Sequence, residues 1–413
     1  MSISLKRLGQ AQPSELATTI RNSGIAGAGG AGFPAHAKWE RIDEVPYLLM
    51  NHQESEPNYY IDKWLGTNKT DVYAEFFDEL LADLLDLIVV GAKAKDRDNW
   101  MTSFEDATDG TVYLPEDLPL DPTEESGVVF AYTEDKYEFG MESVLLRMVS
   151  DIVLRDELPM DHGWIVQNTE TMFNIHKTLA EGDSMTHKLV HVDGNVDRHR
   201  FLEVPVGTPA TDLLAAAGRS PETLSGELLA DGGPGWCFEI DESPDTFGVR
   251  KRTNCLLVLD EETVEGNMVG DGRINVLNER EWSGDHETEP TTLEPDQVRI
   301  PLRTNPNFDG VVARSKPIVD AGDTVKTGEL IAVPAGEAIS NCQHASIDGT
   351  VTQITDTAIE ITRESQTATA SGQPVGDHHR VHWTFCSECG DYVARPELEH
   401  LGPTTEYVCA DCR

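Results

Sequence analysis

The sequence predicts a multidomain protein, an α/β domain followed by small β-rich modules and a cysteine-bearing tail. Three observations carry this reading. The chain has 413 residues and 39% hydrophobic content, enough at ~100 to 200 residues per domain for two to four separate cores. Its first part couples helically spaced apolar residues to short apolar runs, the pattern of helices layered on a sheet. Its later part has short alternating strands separated by Gly-Asp and Asp-Gly turns, as in a compact sandwich or barrel.

The elements follow in order. Leu16 and Ile20 share one face of a short helix beginning near Ser14 and ending at Gly24. A glycine-rich loop, GIAGAGGAGFPAHAKWE, follows at once. Tyr73, Phe76, Phe77, Leu80, Leu81, Leu84 and Leu85 have helical spacing over 71–86, and LIVVG after them reads as a buried strand. VVFAY at 128–132 is a second strand, YEFGMESVLLRMV a loop into a helix, and 170–180 a further helix. Together these make one domain over 1–187. From Lys188 the texture is β-rich, and KLVHVDG, FLEVPVGTPATDLLAAAG and NCLLVLD make a small α+β module over 188–260. Residues 261–297 are polar and poor in pattern and read as a linker. A second β module occupies 298–364, a flexible tether 365–381, and the cysteine-bearing tail 382–413.

Charge narrows the function classes. Asp and Glu number 73 against 32 Lys and Arg, a formal net charge of −41. That field repels a nucleic-acid backbone and excludes a general DNA or RNA binder. The acids are dispersed along the chain, where they hold water and cations in a salt-filled cytosol, so the composition reads as haloarchaeal in type, with an ordinary acidic mesophilic protein as the alternative. The most apolar stretch, Leu80 to Val90, is interrupted by Asp83 and Asp86 and falls short of the ~18 to 20 residues of a membrane span. The N-terminal segment lacks the apolar run of a secretory signal, so a cytoplasmic protein without direct membrane insertion is expected.

Cytoplasmic thiols are reduced, and the 7 Cys read as ligands or core residues. Cys237, Cys255 and Cys342 are isolated and read as small buried hydrophobes. Cys386 and Cys389 form one CxxC pair and Cys409 and Cys412 another, with 19 residues between. Two such knuckles grip one tetrahedral metal. A structural zinc ribbon with one Zn is the reading; a rubredoxin-like iron site passing single electrons is the alternative. His378, His379 and His382 read as exposed linker residues, since a four-cysteine site needs no histidine.

The loop Gly27-Ala28-Gly29-Gly30-Ala31-Gly32-Phe33-Pro34 lets a flat or phosphorylated ligand approach backbone that any Cβ would shield. It lacks the Lys-Ser or Lys-Thr ending of a phosphate-binding Walker loop. Alone it reads better as a tight strand-to-helix turn. Its context adds three further segments in order. Asn51, Glu54, Glu56 and Pro57, with Asp62 beyond, come first; Tyr137, Gly140 and Glu142 second; Asn168, Glu170 and Thr171 third.

On these four motifs the chain resembles the flavoprotein subunit of respiratory complex I, and more closely the RnfC component of the Rnf electron-transport complex and the cobalamin reductase of propanediol-utilising microcompartments. The resemblance implies a Rossmann-like α/β domain whose FMN is surrounded by Gly27, Gly29, Gly30, Gly32, Lys38, Asn51, Glu54, Asn168 and Thr171. It implies Phe33, Glu56 and Glu142 facing NADH. Lys38 would neutralise the FMN phosphate, and hydride transfer would run on the bound flavin with no catalytic side chain of its own. Residues 188–260 resemble the soluble-ligand-binding β-grasp domain of these families and 298–364 their barrel-sandwich hybrid, with Lys326 structural and not an attachment site.

The sequence also departs from the pattern. Ala28 stands where complex I has Arg, Gln53 where it has Asp, and Met141 where it has a second acid, which favours the Rnf-like branch. Residues 261–297 contain no Cys, so no iron-sulfur cluster is expected on this chain. The implied function is an NADH:acceptor oxidoreductase, an FMN electron-transfer subunit passing electrons to a partner protein, itself an iron-sulfur protein or a membrane-associated complex. The alternative is a non-catalytic scaffold or assembly subunit that has lost nucleotide binding.

Overall fold

The structure is a computed structural model, and it describes residues 5, 8, 11–284, 286–306, 311–335 and 339–363 in full. Within 364–413 it describes only the backbone of four short strands. Residues 1–363 form one compact unit and 364–413 another.

The first module begins with α1 (Pro13–Asn22), whose proline at the first helical position has no amide to leave unsatisfied. Then come α2 (His36–Trp39), β1 (Tyr47–His52), α3 (Ile61–Asn68), α4 (Thr70–Asp83), β2 (Leu87–Lys93), α5 (Thr102–Thr108), β3 (Thr111–Tyr113), β4 (Gly127–Thr133), α6 (Glu142–Ser150), β5 (Trp164–Asn168) and α7 (Thr169–Glu181). The five strands make an all-parallel sheet in the order β3-β4-β2-β1-β5. Such a sheet is buried on both faces, and β2 shows it: Leu87 and Val89 join a core with Leu145, Leu146 and Val149 of α6. Ile88 and Val90 join the opposite core with Tyr73, Phe76 and Phe77 of α4.

The second module is a seven-stranded mixed sheet. It contains β6 (His187–Gly194), β7 (Arg200–Pro205), α8 (Ala210–Ala216), β8 (Glu227–Gly233), β9 (Trp236–Glu239), β10 (Cys255–Asp260), α9 (Glu261–Gly266), β11 (Arg273–Ile274) and β12 (Thr291–Thr292). The strand order is β11-β9-β8-β10-β6-β7-β12. Here the expected linker differs from what is found. Residues 261–297 supply both edge strands of this sheet, and Trp282 is buried with Cys237, Cys255 and Leu257. Two-residue strands are too short to carry a period, which is why the segment reads as patternless.

The third module has a four-stranded sheet, β13-β19-β18-β15, and a three-stranded one, β14-β16-β17. Its strands are β13 (Gln297–Pro301), β14 (Lys316–Pro317), β15 (Thr324–Val325), β16 (Leu330–Val333), β17 (Gln343–His344), β18 (Gly349–Ile354) and β19 (Ala358–Thr362). Val298, Ile300, Ile331, Ile347, Val351 and Ile359 share one core between them. In the tail, β20 (Trp383–Phe385) pairs with β21 (Tyr392–Ala394) and β22 (Leu398–His400) with β23 (Tyr407–Cys409). Cys386, Cys389 and Cys412 lie outside the described residues, as do His378, His379 and His382; of Cys409 only the backbone is described, paired with Leu398.

Candidate functional site

The chain lays down β1, builds outward through β2 and β4, and then returns to place β5 on the other side of β1. The strand order reverses there, and in open parallel sheets the crevice at the carboxyl ends of such a pair is where ligands bind. Asn51 and Asn168 are partners in the β1–β5 register at those carboxyl ends. A cavity of about 630 Å³ opens above them, within the ~300 to 1,000 Å³ of small-molecule sites.

Its floor is made by the glycine loop and the start of α7. The loop closes on itself: Gly27 donates to Phe33 O and Gly32 to Gly27 O. Ala28 N–H donates to Thr171 Oγ1 at 2.9 Å, so α7 anchors the loop. Asn168 caps α7, its Oδ1 accepting the amides of Glu170 and Thr171 at 3.0 and 3.4 Å. Gly29 packs so closely on that side chain that a Cβ would sit 2.9 Å from Asn168 Cγ, whereas Gly30 faces open space with φ +96°. The third module holds the tip. Thr304 Oγ1 donates to Gly32 O at 2.6 Å and Asn305 Nδ2 to Ala31 O at 2.7 Å.

The walls are acidic and buried. Glu54 takes the left-handed φ of +30°, and its Oε2 accepts the amides of Asp62 at 2.7 Å and Lys63 at 3.4 Å. Burial pushes its carboxyl up to about 7, against the pull of Lys63. Asp62, which accepts from Asn168 Nδ2, is held well above the usual carboxylate range by burial and then by Glu54 and Glu170. Burial also raises Glu170, although its Oε2 is paired to Lys188 Nζ and its Oε1 accepts Leu189 N–H at 3.2 Å.

The second module closes the cavity. Glu56 Oε1 accepts from Tyr137 OH at 2.6 Å and its Oε2 from the Gly235 amide at 2.9 Å, in the β8–β9 turn. That turn must be glycine-rich, because a Cβ on Gly233 would lie 2.3 Å from Glu56 Cδ and one on Gly235 2.4 Å from the Tyr137 ring. Trp236, Phe238, Arg252 and Asn254 complete the lining. Arg252 is buried and paired with Asp231 at 2.8 Å.

Of the residues singled out in the sequence, Gly29, Gly30, Asn51, Glu54, Glu56 and Asn168 line this cavity. Gly27, Gly32 and Thr171 shape it from behind through the bonds above. Lys38, Glu142 and Phe33 are not among its lining residues. Lys38 Nζ is bound to Glu142 Oε2 at 2.6 Å and donates to Val166 O at 2.8 Å, so the expected phosphate partner and one expected nucleotide contact hold each other. Sequence reasoning missed Arg252, Asn254 and Asn305, which arrive from other modules. One signal was available for the first: Arg250-Lys251-Arg252, three consecutive cations in a chain this acidic, directly before an apolar strand, and all three are buried.

Residues 20–177 match the family model of the Nuo51 FMN-binding domain, and residues 271–371 that of the RnfC barrel sandwich hybrid domain. The first module is thus similar to the FMN-binding domain of the complex I flavoprotein, and the third to the barrel-sandwich domain of RnfC. Among similar proteins, the cobalamin reductase PduS of Citrobacter freundii is 28% identical over 248 residues, covering 58% of this chain and 49% of the relative. The RnfC component of the ion-translocating oxidoreductase complex of Pseudomonas aeruginosa is 28% identical over 253 residues, 60% of this chain and 30% of the relative. The chain therefore spans about half the length of the cobalamin reductase it matches, and less of RnfC. A solved NAD⁺-reducing [NiFe]-hydrogenase in the H₂-reduced state aligns with 19% identity and a TM-score of 0.47, over 63% of this chain and 50% of that one. The barrel-sandwich match begins at 271, so in this family frame the third module takes in part of the expected linker. Among the described residues no helix is long and apolar enough to cross a membrane.

The residues present fit an FMN. Loop backbone without side chains meets the capped N-terminus of a 13-residue helix, where amides and the helix dipole favour a phosphate. Ser55 Oγ, in the cavity wall, is buried without a hydrogen-bond partner, a polar group that a ligand edge would satisfy.

Proposed function

We propose that this chain is the flavoprotein subunit of a cytoplasmic electron-transfer system, oxidising NADH by hydride transfer to FMN and passing electrons to a separate acceptor protein, itself an iron-sulfur protein or part of a membrane complex. The observation that carries the reading is the cavity at the β1–β5 reversal, floored by the glycine loop and the α7 cap. When bound, FMN supplies a centre that accepts two electrons and releases them singly. Gly27 to Gly32, Asn51, Asn168 and Thr171 would hold it.

The chain's own residues do the rest. The loop amides and α7 orient the phosphate end, while Ser55 and Asn51 offer polar contacts. Glu54, held near 7 with Oε2 accepting two amides, carries its proton on Oε1 and can hold or release it near neutral pH. The β8–β9 turn walls one side of the cavity. Residues 188–260 act in this reading as a β-grasp module, and the four tail cysteines hold one structural zinc.

A second reading is favoured by one observation: Glu56 is already satisfied by Tyr137 and Gly235. A subunit whose nucleotide contact is occupied internally would be a scaffold. Colour decides between them. Full-length protein purified in high salt should be yellow, with a flavin spectrum bleached by NADH; a colourless protein that takes up no added FMN is the scaffold. Flavin that is bleached by dithionite and untouched by NADH would keep the cofactor and remove the donor.

A further inference from the structure

We propose that Asp193, His199 and His286 form a binding site for a divalent first-row transition ion of the zinc class, in the second module and built from none of the residues that line the flavin cavity. Asp193 stands at the carboxyl end of β6, His199 just before β7, and His286 on the segment that returns along the sheet before β12. One ligand atom from each lies within 4.8 Å of the others, and Asp193 Oδ2 is 3.7 Å from His286 Nε2. Ligands ~2.0 to 2.1 Å from a tetrahedral zinc stand ~3.3 Å apart. Closing on an ion takes a contraction of up to about 1.5 Å between ligand atoms.

The carboxylate is already oriented. Asp193 Oδ1 accepts the Gly194 amide at 2.8 Å, and its Oδ2 accepts Asn58 Nδ2 at 2.9 Å. His199 Nε2 lies 3.1 Å from His191 Nδ1, and its Nδ1 accepts the Glu287 amide at 3.2 Å; an ion would take the Nε2 lone pair in place of His191, with the ring proton moving to Nδ1 and the amide released. The His199 and His286 rings are 4.1 Å apart between centroids. The outer contacts of Asp193 are of the kind that hold a metal-ligating carboxylate in place.

Charge and chemistry select the ion. Asp193 is buried, yet no Lys or Arg forms an ion pair with it among the described residues. A divalent cation would supply the missing charge. Two imidazoles and one carboxylate suit zinc, cobalt or ferrous iron and disfavour magnesium and calcium, which prefer all-oxygen sites. The bound ion would pin the 261–297 segment to β6 and to the Asn58–Tyr60 stretch, since the Tyr60 ring lies 6.2 Å from that of His286.

The test uses full-length protein stripped with a chelator and titrated with Co²⁺. Cobalt on the tail thiolates gives intense charge-transfer absorption, whereas cobalt on nitrogen and oxygen gives only weak visible bands. The parent should bind one more cobalt per chain than His286→Ala or Asp193→Asn, with the missing ion lacking the thiolate band and its affinity at least about 100-fold weaker in the variants. Added Zn²⁺ should also raise the parent's Tm by more than that of either variant. Equal cobalt stoichiometry in parent and both variants, or an equal Tm rise, overturns the site. Because the expected difference is counted between parent and variant, it holds whether or not the tail is loaded and whether or not flavin binds.

Discussion

Glu54 combines three features that rarely coincide: a buried carboxylate, a positive φ of +30°, and two backbone amides on one oxygen. Burial raises its carboxyl to about 7. An acid whose folded pKa lies above its unfolded value favours the folded state only while protonated. Below the unfolded value of about 4.5 both states hold the proton, and no penalty exists. As pH rises toward 7 the unfolded chain releases it first and stability falls; above 7 the penalty is complete. Glu54→Gln keeps an oxygen for the amides and removes the charge. The variant should therefore match the parent near pH 4.5 and exceed it by on the order of 2 kcal/mol above pH 7, read as urea midpoints across that range at fixed salt. Parallel curves would show that Glu54 is not the titrating group. Asp62, Glu56 and Glu170 are raised in the same direction, so a reduced slope is expected to remain in the variant.

The glycine loop separates two kinds of glycine. At Gly29 the backbone is ordinary and the space is filled by Asn168, while at Gly30 the space is open and the backbone is not. Gly29→Ala must push Asn168 off the α7 cap, costing about 1 kcal/mol and, because that residue also holds Asp62, lowering flavin occupancy. Gly30→Ala carries only the backbone strain of about 1 to 3 kcal/mol and leaves the cap in place. Equal flavin loss in the two variants, measured by absorbance after gel filtration, would mean the cap plays no part in binding. A larger cost attaches to the Lys188–Glu170 pair, buried together where α7 meets β6. Lys188→Met leaves an unpaired buried carboxylate and should destabilise by about 3 to 5 kcal/mol, whereas the double change Lys188→Met with Glu170→Leu should recover most of that loss in the denaturation midpoint.

These elements show what is legible in the sequence. α4, β2, β4 and α7 fall close to their expected bounds because their apolar spacing is long enough to show a period. Asn51, Glu54 and Asn168 are legible because they sit in local motifs around strand ends. The closure of the cavity is not: Gly235, Arg252 and Asn305 reach it only through tertiary placement, and no local spacing encodes a contact 179 residues away such as that of Gly235 with Glu56. The 261–297 segment escapes a sequence reading for the same reason, since Trp282 and two-residue strands gain meaning only against the β6–β10 sheet.

At the scale of the whole molecule, three modules meet at one residue. Gly24 ends the first helix with φ +69°, and its carbonyl accepts from Lys251 Nζ of the second module at 2.8 Å and from Asn341 Nδ2 of the third at 2.9 Å. Lys251 also donates to Cys342 O at 2.8 Å. Burial pushes its amine down to about 7, so near neutral pH it can hold the junction without carrying a full charge through a core. A Cβ at position 24 would lie 2.5 Å from Cys342 O and 2.7 Å from Lys251 Nζ, at a φ that L residues avoid. Gly24→Ala should therefore cost about 2 to 3 kcal/mol, and the loss should fall on the contact between modules and not on any one core. Tryptophan gives the means to see it, because residues 298–363 contain none while the first two modules contain six. In the parent, urea unfolding followed by tryptophan fluorescence and by far-UV circular dichroism should share one midpoint. In Gly24→Ala the circular dichroism transition should broaden toward lower urea as the third module unfolds ahead of the fluorescence change. Coincident midpoints in the variant would place the coupling elsewhere, with Thr304 and Asn305 on the glycine loop the next contacts to break.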